Sequence, residues 1–430
     1  MTQPDAPSRR RSRPPRAPVP SLHPGERVRG SAILEENPEC GLVLWESYRN
    51  VGDWATTPRA RRVPAMFGAG AAERRAEQLG AAGVDDVARA ALETLRGVVA
   101  DPGRARARAV ALACRRLSAW AGERGRPATE FYFAAAAGLC VPGDARHAYL
   151  AGRLARDLAK WDTAETWLEF AVAAAKRRRD RETQALAVLG LGNLYIRQGG
   201  YLRARDVHGT ALALARRHGL PEIEGKALHD LFVIAVELDD LVEAEALAAA
   251  ALAAYGPSHA NVPALAHDVA YFWLEQGHFA PAASVFRAML PHFRRTGAQQ
   301  LRVLANLGRS LAGCGDADGF RAIWSRAWTL VSGLESRATL APALVDLAEG
   351  AGLLGDRERA LHAAARALEL ARDLGETDVL VRAEAVVAAT GPAAAPPPPR
   401  TASPPDDTVP ASDRLARELV CSLRQGAAAG

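Results

Sequence analysis

Two histidine–aspartate pairs, His229-Asp230 and His267-Asp268, are the residues of this chain that come nearest to a chemical site. An imidazole titrates near neutrality and can carry a proton, donate a hydrogen bond or ligate a metal, and a carboxylate beside it can orient the ring. Each histidine stands fifteen residues before an alanine, Ala244 or Ala282, so the two occupy equivalent places in neighbouring copies of one unit. Three readings compete: a structural His–Asp hydrogen bond duplicated with the unit, a shared ligand groove, and a metal site. Units packed ~10 Å apart hold two imidazoles too far from one another for ~2 Å ligand bonds, which argues against the metal. Nothing else in the chain has the grammar of catalysis. There is no Walker loop, HExxH, GxSxG or kinase signature. The GxG of "GLGNLY" follows no strand and reads as small residues for helix packing. Cys40, Cys114, Cys140, Cys314 and Cys421 are scattered, without CxxC or Cys/His spacing, so neither a disulfide framework nor a zinc site is implied. No catalytic residue, cofactor or metal is expected.

A repeat must position the histidines. Ala164, Ala204, Ala244, Ala282 and Ala360 are separated by 40, 40, 38 and 78 residues, and Phe320 divides the last interval into 38 and 40. Twelve residues before each stand Gly152, Gly192, Phe232, Ala270, Gly308 and Ala348. Trp161, Tyr201, Leu241 and Phe279 stand three residues before, and Leu168, His208, Ala248, Phe286, Trp324 and Ala364 four residues after. Small residues at the first two places let two helices approach closely. The residue four positions on fills the space beside them, because i and i+4 share a helix face. Gly199-Gly200, Asp239-Asp240 and Gly277-His278 supply the stop and the turn. Each unit therefore reads as two antiparallel helices, and a fixed period in this range means a stack. Strand signals are almost absent. The fold class is all-α: an α-solenoid of stacked helix pairs. Phe232 and Phe320 break the small-residue rule, and a local widening of the helix contact is expected there.

This grammar resembles the tetratricopeptide repeat, most closely in "LGLGNLYIRQGGYLRARDVHGTALALA" with Gly192, Tyr195, Tyr201, Ala204 and Ala211. The usual period of that family is 34 residues; here it is 38–40, which lengthens the helices or their connection. The resemblance covers residues 145–390, about six units, and implies a right-handed superhelix whose first helices line an inner face. On that face the register places Arg146, Tyr149, Arg153, Asn193, Arg197, Lys226, His229, His267, Tyr271, Arg302, Asn306 and Arg309. Some members of the family hold a peptide's terminal carboxylate with Lys, Asn and Arg on the inner face. Asn193 and Arg197 match part of that pattern, but Leu189 stands where its lysine belongs, so the full clamp is absent.

The rest of the chain frames the array. Residues 1–30 form a Pro- and Arg-rich arm expected to be disordered, as is the linker 391–412. A helical region spans 31–144, with a degenerate capping repeat at 105–140. In residues 40–55, Leu42, Trp45, Tyr48 and Val51 are expected to form one stripe. A tail helix at 413–425, with Asp413 as its N-cap, lines up Leu415, Leu419, Val420 and Leu423. The net charge of +5 comes almost wholly from arginine, since only Lys160, Lys176 and Lys226 are lysines, and 49 acidic residues balance most of it. That argues against nucleic acid as the partner. No apolar leader or membrane-length stretch is present, which suggests a cytoplasmic protein.

Together these features point to a non-enzymatic interaction scaffold that takes a protein or peptide segment, acidic or carboxylate-bearing, in its groove. The alternative is a bacterial signalling or transcription regulator. In that layout, which resembles the peptide-sensing regulators, the repeats sense a peptide or protein and the N-terminal helices are the output module.

Overall fold

The computed structural model describes residues 31–293, 297–334, 337–390 and 411–429. The expected arm at 1–30 and residues 391–410 of the expected linker lie outside them. Every regular element among the described residues is helical. The chain divides into two compact units, 1–220 and 221–430.

The first unit opens with α1 (Ser31–Glu36), α2 (Gly41–Thr56), α3 (Ala71–Ala81), α4 (Asp86–Ala100), α5 (Ala107–Gly122) and α6 (Pro127–Cys140). Two helix pairs follow: α7 (Ala145–Asp157) with α8 (Trp161–Arg178), and α9 (Arg181–Arg197) with α10 (Tyr201–His218). Glu36 ties the start of the chain to α6. Its carboxylate accepts from the backbone amides of Ala128 and Thr129 at 2.8 Å each, satisfying donors that the first turn of a helix leaves unpaired. In α2 the stripe differs from the sequence expectation. Val43, Leu44, Tyr48, Val51 and Trp54 are buried, whereas Leu42 is exposed. The seam follows Trp54, whose indole donates to the Pro102 carbonyl at 2.8 Å, and this rotates Leu42 outward.

The second unit holds four pairs. They are α11 (Pro221–Glu237) with α12 (Leu241–Tyr255), α13 (Val262–Glu275) with α14 (Phe279–Met289), α15 (Gly297–Gly313) with α16 (Ala317–Gly333), and α17 (Arg337–Leu353) with α18 (Arg357–Leu374). Then come α19 (Thr377–Ala389) and α20 (Ala411–Ala429). The last helix begins two residues before Asp413, so Asp413 lies in its first turn and does not cap it. It packs on α12, α13 and α14, burying Leu415, Ala416, Leu419 and Leu423.

One turn joins the helices of all six pairs. A single residue takes the left-handed conformation: Ala159 (φ 54), Gly199 (φ 73), Asp239 (φ 61), Gly277 (φ 78), Gly315 (φ 79) or Gly355 (φ 71). The next amide then reaches the carbonyl five residues back: Lys160 to Ala155 at 2.9 Å, Gly200 to Tyr195 at 2.9 Å, Asp240 to Ala235 at 2.9 Å, His278 to Trp273 at 2.8 Å, Asp316 to Leu311 at 3.0 Å and Asp356 to Ala351 at 2.9 Å. This is the Schellman closure of a helix end. Asp240, Asp316 and Asp356 then cap the second helix by accepting from the amide three residues on.

The repeat alanines sit where the two helices of a pair meet. Ala164, Ala204, Ala244, Ala282 and Ala360 are fully buried. Opposite Ala164 no side chain fits at Gly152, because a Cβ there would stand 2.7 Å from Leu168 Cγ. Phe320 is buried and is given room by Gly350 on the next first helix, where a Cβ would stand 2.9 Å from its Cε2. Phe232 is also buried, edge-on to Phe272 with ring centroids 5.9 Å apart. Both bulky residues are therefore absorbed by local packing partners.

Candidate functional site

Within each unit the first helices of successive pairs lie side by side, and the twelve residues read from the register all fall on first helices. Five belong to the first unit and seven to the second.

In the first unit Arg146 is exposed and pairs with Glu182 at 3.1 Å and, more loosely, Asp180 at 3.9 Å. Tyr149 is half-buried, with its ring beside Gly190. Arg153 is exposed near the half-buried Glu130, whose carboxyl is pushed up by burial and drawn down by that arginine. Asn193 is half-buried and Arg197 exposed. Tyr195, two residues from Asn193, links the two pairs of the first unit. Its hydroxyl donates to Glu165 at 2.7 Å while Arg203 covers its ring at 3.8 Å. Burial and the hydrogen bond with Glu165 push that hydroxyl up to about 12.

In the second unit the two histidines converge on one carboxylate. His229 on α11 reaches Asp268 Oδ2 at 3.0 Å, and His267 on α13 reaches Oδ1 at 3.1 Å. The sequence paired each histidine with the aspartate that follows it, but Asp268 serves both and so links neighbouring pairs. Burial pushes the Asp268 carboxyl up, yet the hydrogen bonds and charge of the two imidazoles outweigh it and hold the group at about 2. The His267 ring lies parallel to Tyr271, with centroids 6.3 Å apart. Lys226, at the outer end of α11, is engaged by Glu222 at 2.6 Å.

Beyond Tyr271 lies a cluster that the sequence analysis named only through Tyr271 and Arg309. Arg309 on α15 bonds Glu275 of α13 at 2.5 Å, Glu349 of α17 at 2.8 Å and Asp346 of α17 at 3.5 Å. Arg382 on α19 grips the same carboxylates, Asp346 at 2.5 Å and Glu349 at 2.8 and 2.9 Å. Two guanidiniums and three carboxylates thus tie three first helices and α19 together. Asp346 is almost fully buried, and burial holds its carboxyl above the usual range despite the attraction of Arg382 and Arg309. Glu275 is also penalised by burial, but Arg309 prevails and draws its carboxyl down. Burial and the nearby Asp346 and Glu275 push the Tyr271 hydroxyl far up, so it stays a donor. Arg309 is consequently not a lone cation awaiting an anionic ligand, and the acidic-segment expectation loses that member. Asn306 is 1% exposed, so it does not face an open groove, and its side-chain oxygen has no hydrogen-bond partner among the described residues. Arg302, one turn away, is exposed.

The signal for the missed residues was present. Glu349 stands eleven residues before Ala360, as Tyr271 does before Ala282 and Arg309 before Phe320. Asp346 stands fourteen before, as Asp268 and Asn306 do. Carrying the register one pair further reaches both.

Among the described residues no group of histidine, cysteine and carboxylate side chains is arranged to hold a metal ion, and no helix is long and apolar enough to cross a membrane. No protein-family model matches the chain, and no curated protein does. Several solved structures are similar. BtubC (BKLC) from P. vanneervenii is 19% identical over 52% of this chain and 92% of that one, with a TM-score of 0.41. The Rap protein, solved with competence and sporulation factor, is 14% identical over 79% of this chain and 99% of that one, at 0.42. The TPR2AB domain of yeast Sti1, solved in a complex with pHSP90, is 14% identical over 64% and 98%, at 0.26. What makes this chain a tetratricopeptide-like α-solenoid is its own run of helix pairs, closed by one turn and packed on one alanine register.

Proposed function

We propose that this chain is a protein-interaction scaffold that takes a polypeptide segment along its first-helix faces, without chemistry of its own. The observation that carries this reading is the line of polar side chains from His229 through Asp268, Tyr271 and Arg309 to Arg382 in the second unit. Apolar residues of similar volume would pack those helices at least as well, since a buried ion pair is often neutral or worse than a hydrophobic replacement. Polar groups retained at that depth suit recognition of a polar segment, whose backbone and side chains need fixed donors and acceptors. In the first unit Arg153, Asn193 and Arg197 are more exposed than the polar residues of that line.

Peptide selection tests this. A random peptide library displayed on phage, panned on the full-length chain, yields segments whose affinity calorimetry can measure. Arg302→Ala and Tyr271→Ala should each weaken binding about tenfold, the scale of one charge-assisted or aromatic contact. Arg205→Ala, an exposed change on the second helix α10, should leave it unchanged. Selected peptides indifferent to both first-helix changes would remove the first-helix face as the site.

A further inference from the structure

The end of the chain returns to its middle. Helix α20 lies against α12, α13 and α14, with Leu415, Ala416, Leu419 and Leu423 buried and His292 Nε2 2.9 Å from the Leu423 carbonyl oxygen. It occupies a groove on the second-helix side, away from the polar line described above. Two observations say that it is not a permanent part of that groove. The helix hangs on residues 391–410, a twenty-residue connection that spans up to about 70 Å when extended. A half-open depression of about 670 Å³ also lies beside its first turns, with Leu241, Val242, Phe272 and Trp273 on its apolar side and Glu245 and Arg414 at its edge. Val242 is 86% exposed, so apolar surface beside the docked helix is left for a longer or bulkier occupant to cover.

The geometry points to a helix-docking site that the chain's own tail holds until a better-fitting partner helix arrives. The partner is an amphipathic helix with leucines spaced as Leu415, Leu419 and Leu423, a large aromatic where the tail has Arg414, and basic residues on its flank. The leucines come from the contacts already made. The aromatic is what the uncovered apolar surface accepts. The basic flank matches α12, which carries Glu243 and Glu245 and neither lysine nor arginine, and faces a tail bearing Arg414, Arg417 and Arg424.

The test uses the full chain and a fluorescent synthetic peptide of residues 411–429, read by anisotropy. In the wild-type chain the tethered tail competes at an effective concentration in the mM range, so the peptide binds weakly. Leu419→Asp in the chain ejects its own tail and empties the groove, and the peptide should then bind at least tenfold more tightly. A peptide carrying Arg414→Phe should bind tighter still and should saturate the wild-type chain. Ala249→Glu beside Leu419→Asp should abolish both gains. If circular dichroism shows that Leu419→Asp unfolds the chain, Leu423→Asp replaces it. No binding to a folded, tail-released chain overturns the proposal, as does equal binding to both chains. A wild-type dimer in sedimentation that Leu419→Asp dissolves would mean that the groove takes the tail of a second copy, and it overturns the proposal equally.

Discussion

Removing Arg382 tests whether the cluster in the second unit is a buried network or a set of surface pairs. Arg382 donates to Asp346 at 2.5 Å and twice to Glu349, at 2.8 and 2.9 Å. At an effective dielectric of 20, opposite charges about 3 Å apart attract by roughly 5–6 kcal/mol, and part of that is offset by desolvating both groups. Arg382→Met keeps much of the stem and removes the charge. Asp346 is then left at 4% exposure with only Arg309, 3.5 Å away. Taking one partner from a buried pair costs about 3–5 kcal/mol. The loss has an upper bound, because Asp346 can take a proton. Its carboxyl is already raised by burial and would climb further without Arg382. An acid whose folded pKa is raised keeps its proton while the unfolded chain gives it up near pH 3.9. Stability therefore falls as pH rises between those two values, and the loss in Arg382→Met should be smaller at pH 5 than at pH 8. Urea titrations followed by circular dichroism at both pH values measure it. Adding Asp346→Leu should return more than about 1 kcal/mol, a coupling expected of groups in contact. A loss below about 1 kcal/mol that is the same at both pH values would be the signature of exposed pairs and would refute the buried-network reasoning.

Three further predictions concern the repeat. His208 is fully buried, and burial, opposed by a hydrogen bond with the Gly192 backbone, holds its imidazole at about 4. The unfolded chain protonates first, so stability should fall by about 3 kcal/mol as pH drops from 6.5 to 4, and His208→Leu should flatten that slope in acid titration followed by circular dichroism. Ala204→Leu, at a fully buried contact, should overpack its pair and lower stability by about 1–3 kcal/mol in urea melts. Ala159 holds φ 54 in the repeated turn, where a side chain costs about 1–2 kcal/mol; Ala159→Gly should therefore gain roughly 0.5–1 kcal/mol after the entropy of the unfolded glycine is subtracted, and a lower urea midpoint would contradict the turn geometry.

What could be read from the sequence was what repeats. The alanine register located the contact inside five of the six pairs because backbone approach dictates a small residue there, and that requirement recurs every 38–40 residues. The turns were legible for the same reason, at Gly199, Asp239 and Gly277. Polar partners are chosen across pairs and follow no such rule. His229 bonds Asp268 of the neighbouring pair, which the packing of the two first helices brings within 3.0 Å. Arg309 looked available on the register yet is engaged by carboxylates from two other helices. Phe320 broke the small-residue pattern, and the room for its ring comes from Gly350 on the next first helix, a cross-pair choice that the register does not announce. The docking of α20 was hidden more deeply, since amphipathicity states that a face is buried and is silent on where.

The return of α20 sets the order in which the molecule can be completed. Nearly every other contact of a solenoid is local and can form as soon as its neighbour leaves the ribosome. The bond between His292 and Leu423 spans 131 residues. At ~5–20 residues per second, the groove on α12–α14 emerges on the order of ten seconds before the helix that fills it. A nascent chain therefore presents an open apolar groove, and truncation anywhere before residue 411 makes that state permanent. Chaperones and proteases would meet such chains as unfinished, although every helix pair in them had already formed.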